Sequence, residues 1–214
     1  MSLRTPACLV IGLGVLLAAG NAVGQGTFEN LDFEHPVLPL MPVDFQVPIT
    51  KALPGWTGYI GGVQVDYVIY NTISIGSSEI DLQGPGSLEP ILEGSYTVGM
   101  GPSTQGLPTA IAQVGTVPSS AKSLSFYVYD DSAFTVTFRG TQIPVSVVGS
   151  TSTARILGGD ISAFAGQTGE LRFQGGGELD NIQFSDLGVP EPGEAALAAL
   201  GLLLLGWRAL GRRR

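Results

Sequence analysis

The chain has 214 residues, with 18 acidic and 10 basic side chains, one histidine and one cysteine. One His and one Cys exclude a multi-histidine zinc site and the paired His/Cys chemistry of a thiol nucleophile. A net charge of −8 argues against nucleic acid and other polyanions as partners.

Residues 1–24 read as a signal peptide: Arg4 supplies a positive start, residues 8–20 an apolar core, and Ala22 and Gly24 the small residues before a cut at Gln25. The alternative is an uncleaved N-terminal anchor. Cleavage removes Cys8, so the exported body has no disulfide and depends on packing.

The body, residues 25–188, carries 16 acidic side chains against five basic ones (Lys51, Lys122, Arg139, Arg155, Arg172), a formal charge of −11. Its short β-rich runs are punctuated by glycine without a fixed period. Residues 27–33 suggest a first strand, and the proline-rich stretch 36–54 an ordered loop with a short edge strand at 44–47. Residues 55–60 and 63–70 follow as strands across Gly61-Gly62, with Val63, Val65, Tyr67 and Ile69 sharing an inward face. Residues 73–82 alternate so that Ile80 and Leu82 face in while Glu79 and Asp81 face out. Further strands are expected at 94–100, 110–114, 123–129, 134–138, 143–148, 155–157, 170–173 and 179–184. Asp130-Asp131 closes one of them, as a solvated turn or a metal ligand pair, and Gly175-Gly176-Gly177 reads as the loop of the last hairpin. Nine to eleven short strands without a convincing helix predict an all-β fold, a jelly-roll-like β-sandwich.

Residues 189–214 form a third segment. Pro190-Glu191-Pro192 precedes 13 residues, Ala195 to Trp207, without charge, and Arg208, Arg212, Arg213 and Arg214 end the chain. The apolar run is short of the roughly 20 residues that cross a bilayer. Trp207 and the arginines nevertheless fit an interfacial belt and a cytoplasmic anchor. A soluble C-terminal helix is the alternative, but it would show a polar face.

This tripartite ending resembles the PEP-CTERM sorting signal of exported proteins in Gram-negative bacteria. The resemblance implies a short transmembrane helix, recognition of Pro190, Glu191 and Pro192 by an exosortase-like processing enzyme after passage through the export machinery, and a membrane-held precursor. The destination is the cell surface or an extracellular polysaccharide matrix. The body resembles galactose-binding-like jelly rolls, including carbohydrate-binding modules, at its opening Phe28-Glu29-Asn30-Leu31-Asp32-Phe33-Glu34 and its closing Leu179-Asp180-Asn181-Ile182-Gln183-Phe184. That likeness implies a structural calcium near the chain ends, with Glu34 and Asp180 as ligands.

Candidate chemistry is sparse. His35 precedes Pro36 and reads as an exposed loop residue, and no serine-nucleophile motif is present. Trp56, Tyr59 and Tyr70 are candidate glycan contacts, with core packing as the competing role, and Tyr67 reads as core. No residue stands out as catalytic. The sequence thus points to a non-catalytic exported surface or matrix protein, structural or adhesive, in contact with exopolysaccharide. The alternatives are a dedicated carbohydrate-binding module and a polysaccharide hydrolase using two carboxylates across a cleft.

Overall fold

The computed structural model describes residues 24–39, 45–71, 79–130 and 132–189. These form β1 (Gln46–Pro48), α1 (Ile49–Ala52), β2 (Thr57–Ile60), β3 (Val63–Val65), β4 (Tyr67–Tyr70), β5 (Ile80–Gln83), β6 (Thr97–Met100), β7 (Thr109–Thr116), β8 (Ser123–Val128), β9 (Ala133–Phe138), β10 (Thr141–Ile143), β11 (Ser146–Ser150), β12 (Arg155–Asp160), a 3₁₀ turn (Ser162–Phe164) and β13 (Thr168–Ser185). The described residues are mostly β, consistent with an all-β fold, and their 13 strands are hydrogen-bonded into one connected sheet.

The connection runs through β13, which is 18 residues long. Its first half, Thr168 to Gly176, lies between β7 and β9. Its second half, Gly177 to Ser185, lies between β6 and β8. Gly175-Gly176-Gly177 is therefore a change of neighbours inside one strand, and not the hairpin loop expected from sequence. The glycines permit it sterically. A Cβ on Gly175 would sit 2.1 Å from the Ala133 carbonyl oxygen, and Gly177 has φ +112° with Ser132 Oγ where its Cβ would go. Interior strand glycines of this kind mark close backbone approach.

Alternation along β13 puts Leu171, Phe173, Leu179, Ile182 and Phe184 in the core. Phe173, on the first half, meets Phe126 of β8 at 5.2 Å between ring centroids and Trp56 at 6.2 Å. Phe126 also meets Phe134 of β9 at 6.4 Å. Strands hydrogen-bonded to different halves of β13 thus share one aromatic cluster, in edge-on geometries that favour ring pairs.

Four local readings change. Residues 27–33 are a knot of turns and not a strand. Asn30 and Phe33 have φ of +50° and +58°, the Phe33 amide donates to the Asn30 carbonyl at 3.4 Å, and the Glu29 backbone is held by a side chain: Gln113 accepts from the Glu29 amide at 2.6 Å and donates to its carbonyl at 2.9 Å. The 63–70 run breaks at Asp66, because β3 pairs with β2 whereas β4 pairs with β1 and β5. That break resets the alternation and leaves Tyr67 55% exposed, where unbroken periodicity would bury it. Between Pro48 and Gly55 the chain makes one helical turn, α1, burying Ile49 and Ala52. In β5 all four residues are buried, Asp81 and Gln83 included, so both faces are covered where one solvated face was expected. The tail from Pro190, the signal segment, and residues 73–78 lie outside the described residues.

Phe173 is the residue on which both strand sets converge. Phe173→Ala should therefore cost about 3–5 kcal/mol, the usual penalty for emptying a phenylalanine site that cannot collapse. Urea unfolding of the variant checks this, with an unchanged m-value expected.

Candidate functional site

Strand alternation leaves one face of β3-β2-β7-β13-β9-β10 turned away from the core. Cross-strand register places Gln64, Tyr59, Ala110, Gln174 and Thr135 in one row. Thr57, Ala112, Arg172, Thr137 and Gln142 form the next. Apart from two alanines on β7 these are polar or aromatic side chains. The alanines matter because they are short. Tyr59 and Arg172 stand on strands either side of β7, and only a methyl floor lets them meet: the guanidinium carbon lies 4.1 Å from the Tyr59 ring centroid, a cation–π contact. Ala110 and Ala112, beneath them, are buried at 3% and 2% exposure although they are on the outward face.

Arg172 is held from its other side by Glu170, with Nε donating to Oε1 at 2.8 Å and Nη2 to Oε2 at 3.4 Å. The Glu170 bond holds the guanidinium above its ordinary pKa. Arg172 is thus charge-compensated and rigidly aimed, yet keeps N–H groups for an acceptor outside the protein.

The row through Gln174 and Thr135 runs into an open cleft of about 430 Å³. Its floor is Gln174, Gly175 and Gly176, where β13 changes neighbours, and the opposing wall includes Pro102, Gly106 and Pro108. None of the described residues lining it is charged.

The sequence-derived candidates separate in space. Trp56 is not a surface residue: at 3% exposure it packs on Phe33 and Phe173, and its Nε1 donates to the Asn30 carbonyl at 3.0 Å. Its size and single polar atom are both satisfied in the core. Tyr70 is half-buried against the core at β4, its phenol pushed above the ordinary value by burial and by Tyr96. Tyr59 alone of the three stands on the polar face. Glu170, Arg172, Gln174 and Thr135 escaped the sequence reading. The alternation Glu170-Leu171-Arg172-Phe173-Gln174 marks which of them face out, but only register reveals Tyr59 as the partner of Arg172.

Glu34 and Asp180 do come together, on one loop. Glu34 Oε1 accepts from the Ser95 and Tyr96 amides at 2.7 and 2.9 Å. Asp180 Oδ2 accepts from the Thr97 hydroxyl at 2.7 Å and the Glu93 amide at 3.1 Å, and its Oδ1 accepts from the Asn181 amide at 2.7 Å. Asp180 fastens residues 93–97 to β13, and Glu34 fastens them to the N-terminal loop. The oxygens already receive N–H and O–H donors, and among the described residues no group of three or more His, Cys, Asp or Glu gathers where a metal could sit. Calcium wants six to eight oxygens, and this donor set does not fit it. His35 is exposed, 3.6 Å from Asp32. The Asp130 carbonyl accepts from Arg155.

Comparison with protein-family models, curated proteins and solved structures finds no match. Among the described residues no helix is long and apolar enough to cross a membrane.

Burial raises the Asp180 carboxyl from 3.8 to about 7, against the lowering effect of its hydrogen bonds from Thr97, Asn181 and Glu93. The folded protein keeps this proton at pH values where the unfolded chain has lost it. Asp180 therefore contributes most stability below about pH 4, and the contribution declines as pH rises to about 7. Subtracting the melting profile of Asp180→Asn from that of the parent isolates this fall, expected to total a few kcal/mol. A cation drawing on Asp180 would keep it ionised and reverse the slope in calcium-containing buffer relative to chelator.

Proposed function

We propose that the chain is an exported, non-catalytic surface or matrix protein that contacts polysaccharide through the Tyr59–Arg172 face. The observation that carries this reading is the pre-formed stack of Tyr59 on Arg172 among glutamine and threonine side chains, opening onto an uncharged cleft. Flat aromatic and guanidinium groups beside amides and hydroxyls suit a ligand with apolar C–H faces and many hydroxyls. Pre-organisation by Glu170 and the alanine floor lowers the ordering cost of binding.

The same reading takes the two neighbour sets of β13 as the layers of a β-sandwich closed over the Phe126–Phe173 cluster. It takes residues 1–24 as the export signal and residues 189–214 as the PEP-CTERM-like sorting tail with a short membrane helix. Export machinery of a Gram-negative bacterium would deliver the chain across the inner membrane, and an exosortase-like enzyme acting at Pro190-Glu191-Pro192 would release it to the cell surface or matrix. The arginines at 208 and 212–214 hold the precursor until then. A carbohydrate-binding module is the nearest alternative and differs in serving an attached or partner enzyme. A hydrolase would need a carboxylate pair across a groove, and the described residues lining the cleft beside Tyr59 offer none.

Two experiments test this. Tyr59→Ala should weaken binding to the producing cell's exopolysaccharide roughly tenfold, the loss of about 1.4 kcal/mol, with melting changed little. Replacing Pro190-Glu191-Pro192 by alanines should leave the full-length precursor in the membrane fraction. Unaltered processing of that variant would rule out the sorting role.

A further inference from the structure

Resting on the reading of this face as a glycan contact, we infer that its ligand class is an uncharged polysaccharide, seated from Tyr59 across Gln174 into the cleft at Gly175-Gly176, and not a uronic-acid polymer. Three observations converge. Arg172, the one cation at the centre of the face among the described residues, is already forked to Glu170, so an incoming carboxylate meets a charge-compensated pair and the Glu170 carboxylate beside it. Among the described residues the cleft lining has no charged side chain. The body's formal charge is −11, which repels a polyanion once it comes within the screening length of the surface.

What remains suits neutral hydroxyls. Gln174 presents an amide donor and acceptor, and Thr135 a hydroxyl that does both. Among the described residues neither side chain has a hydrogen-bond partner, and both are exposed. The glycine floor brings the β13 backbone close to whatever enters, since any larger residue at Gly175 would strike the Ala133 carbonyl. Arg139, at the β9–β10 turn, is a further cation of this sheet. It lies past Glu170, on the opposite side of Arg172 from the cleft, and its Nη1 donates to Gln167 at 2.9 Å.

The test uses the mature full chain in affinity gel electrophoresis. One panel holds neutral polysaccharides (dextran, galactomannan, xylan) and the other polyuronates (alginate, polygalacturonate), each at low and at near-physiological salt. The expected result is retardation by at least one neutral polymer, insensitive to salt and weakened about tenfold by Tyr59→Ala and by Gln174→Ala, with no retardation by polyuronates. Glu170→Gln, which uncovers the Arg172 charge, should add salt-sensitive retardation by polyuronate. Circular dichroism of each variant verifies that the fold is kept. Retardation of the parent by polyuronate, lost in Arg172→Ala, would overturn the uncharged ligand while leaving glycan contact standing. Retardation by neither panel would remove both.

Discussion

The three consecutive glycines of β13 are the constraint from which the rest of the architecture follows. A strand of this length with side chains throughout would carry one set of neighbours. Removing the Cβ atoms at Gly175 and Gly177 lets Ala133 and Ser132 press against the backbone, and the strand leaves one pair of neighbours for another. Because the two halves of β13 are covalently one strand, the registers of β7 and β9 are tied to those of β6 and β8. The aromatic cluster of Trp56, Phe126, Phe134 and Phe173 can then be filled from both sets at once. The gain comes from apolar burial and the specificity from the crossing.

The same crossing shapes the surface that carries the candidate site. It leaves a cleft floored by backbone, next to a face whose strands are in fixed register. On that face the short side chains of β7 decide what happens two strands apart. Longer residues at Ala110 and Ala112 would separate Tyr59 from Arg172. The ion pair with Glu170 is half-exposed and contributes little to stability. Its role is to fix the orientation of the guanidinium and to cancel its charge.

The polar contacts that hold the ends of the domain follow a consistent economy. Gln113 stitches the Glu29 backbone, Glu34 and Asp180 fasten residues 93–97, and Ser132 accepts from the Glu178 amide at 3.1 Å where β13 crosses. In a body without cysteine, side chain-to-backbone bonds of long sequence separation close the loops that a disulfide would otherwise close. The resemblance that pairs Glu34 with Asp180 thus leads to two residues that do share a loop, and their partners are amides and a hydroxyl.

Much of this was legible in the chain itself. Period-two alternation at 123–129, 134–138 and 170–173 determined the strands and their inward residues, because a pleated strand has two faces whatever it pairs with. Composition determined the all-β class, and the lone His35 and Cys8 closed off their chemistries. Tertiary structure alone decided the rest. Asp66 ends one pairing and starts another, so periodicity ran through a break and misplaced Tyr67. For Trp56 the sequence allows platform or core, and the indole donating to the Asn30 carbonyl decides for the core. Gly175-Gly176-Gly177 carries the local signal of a turn, and only close approach of Ala133 and Ser132 makes it a strand. Tyr59 and Arg172 are 113 positions apart in the chain, and nothing local links them. Register across β7 brings them together, and register is a property of the assembled sheet.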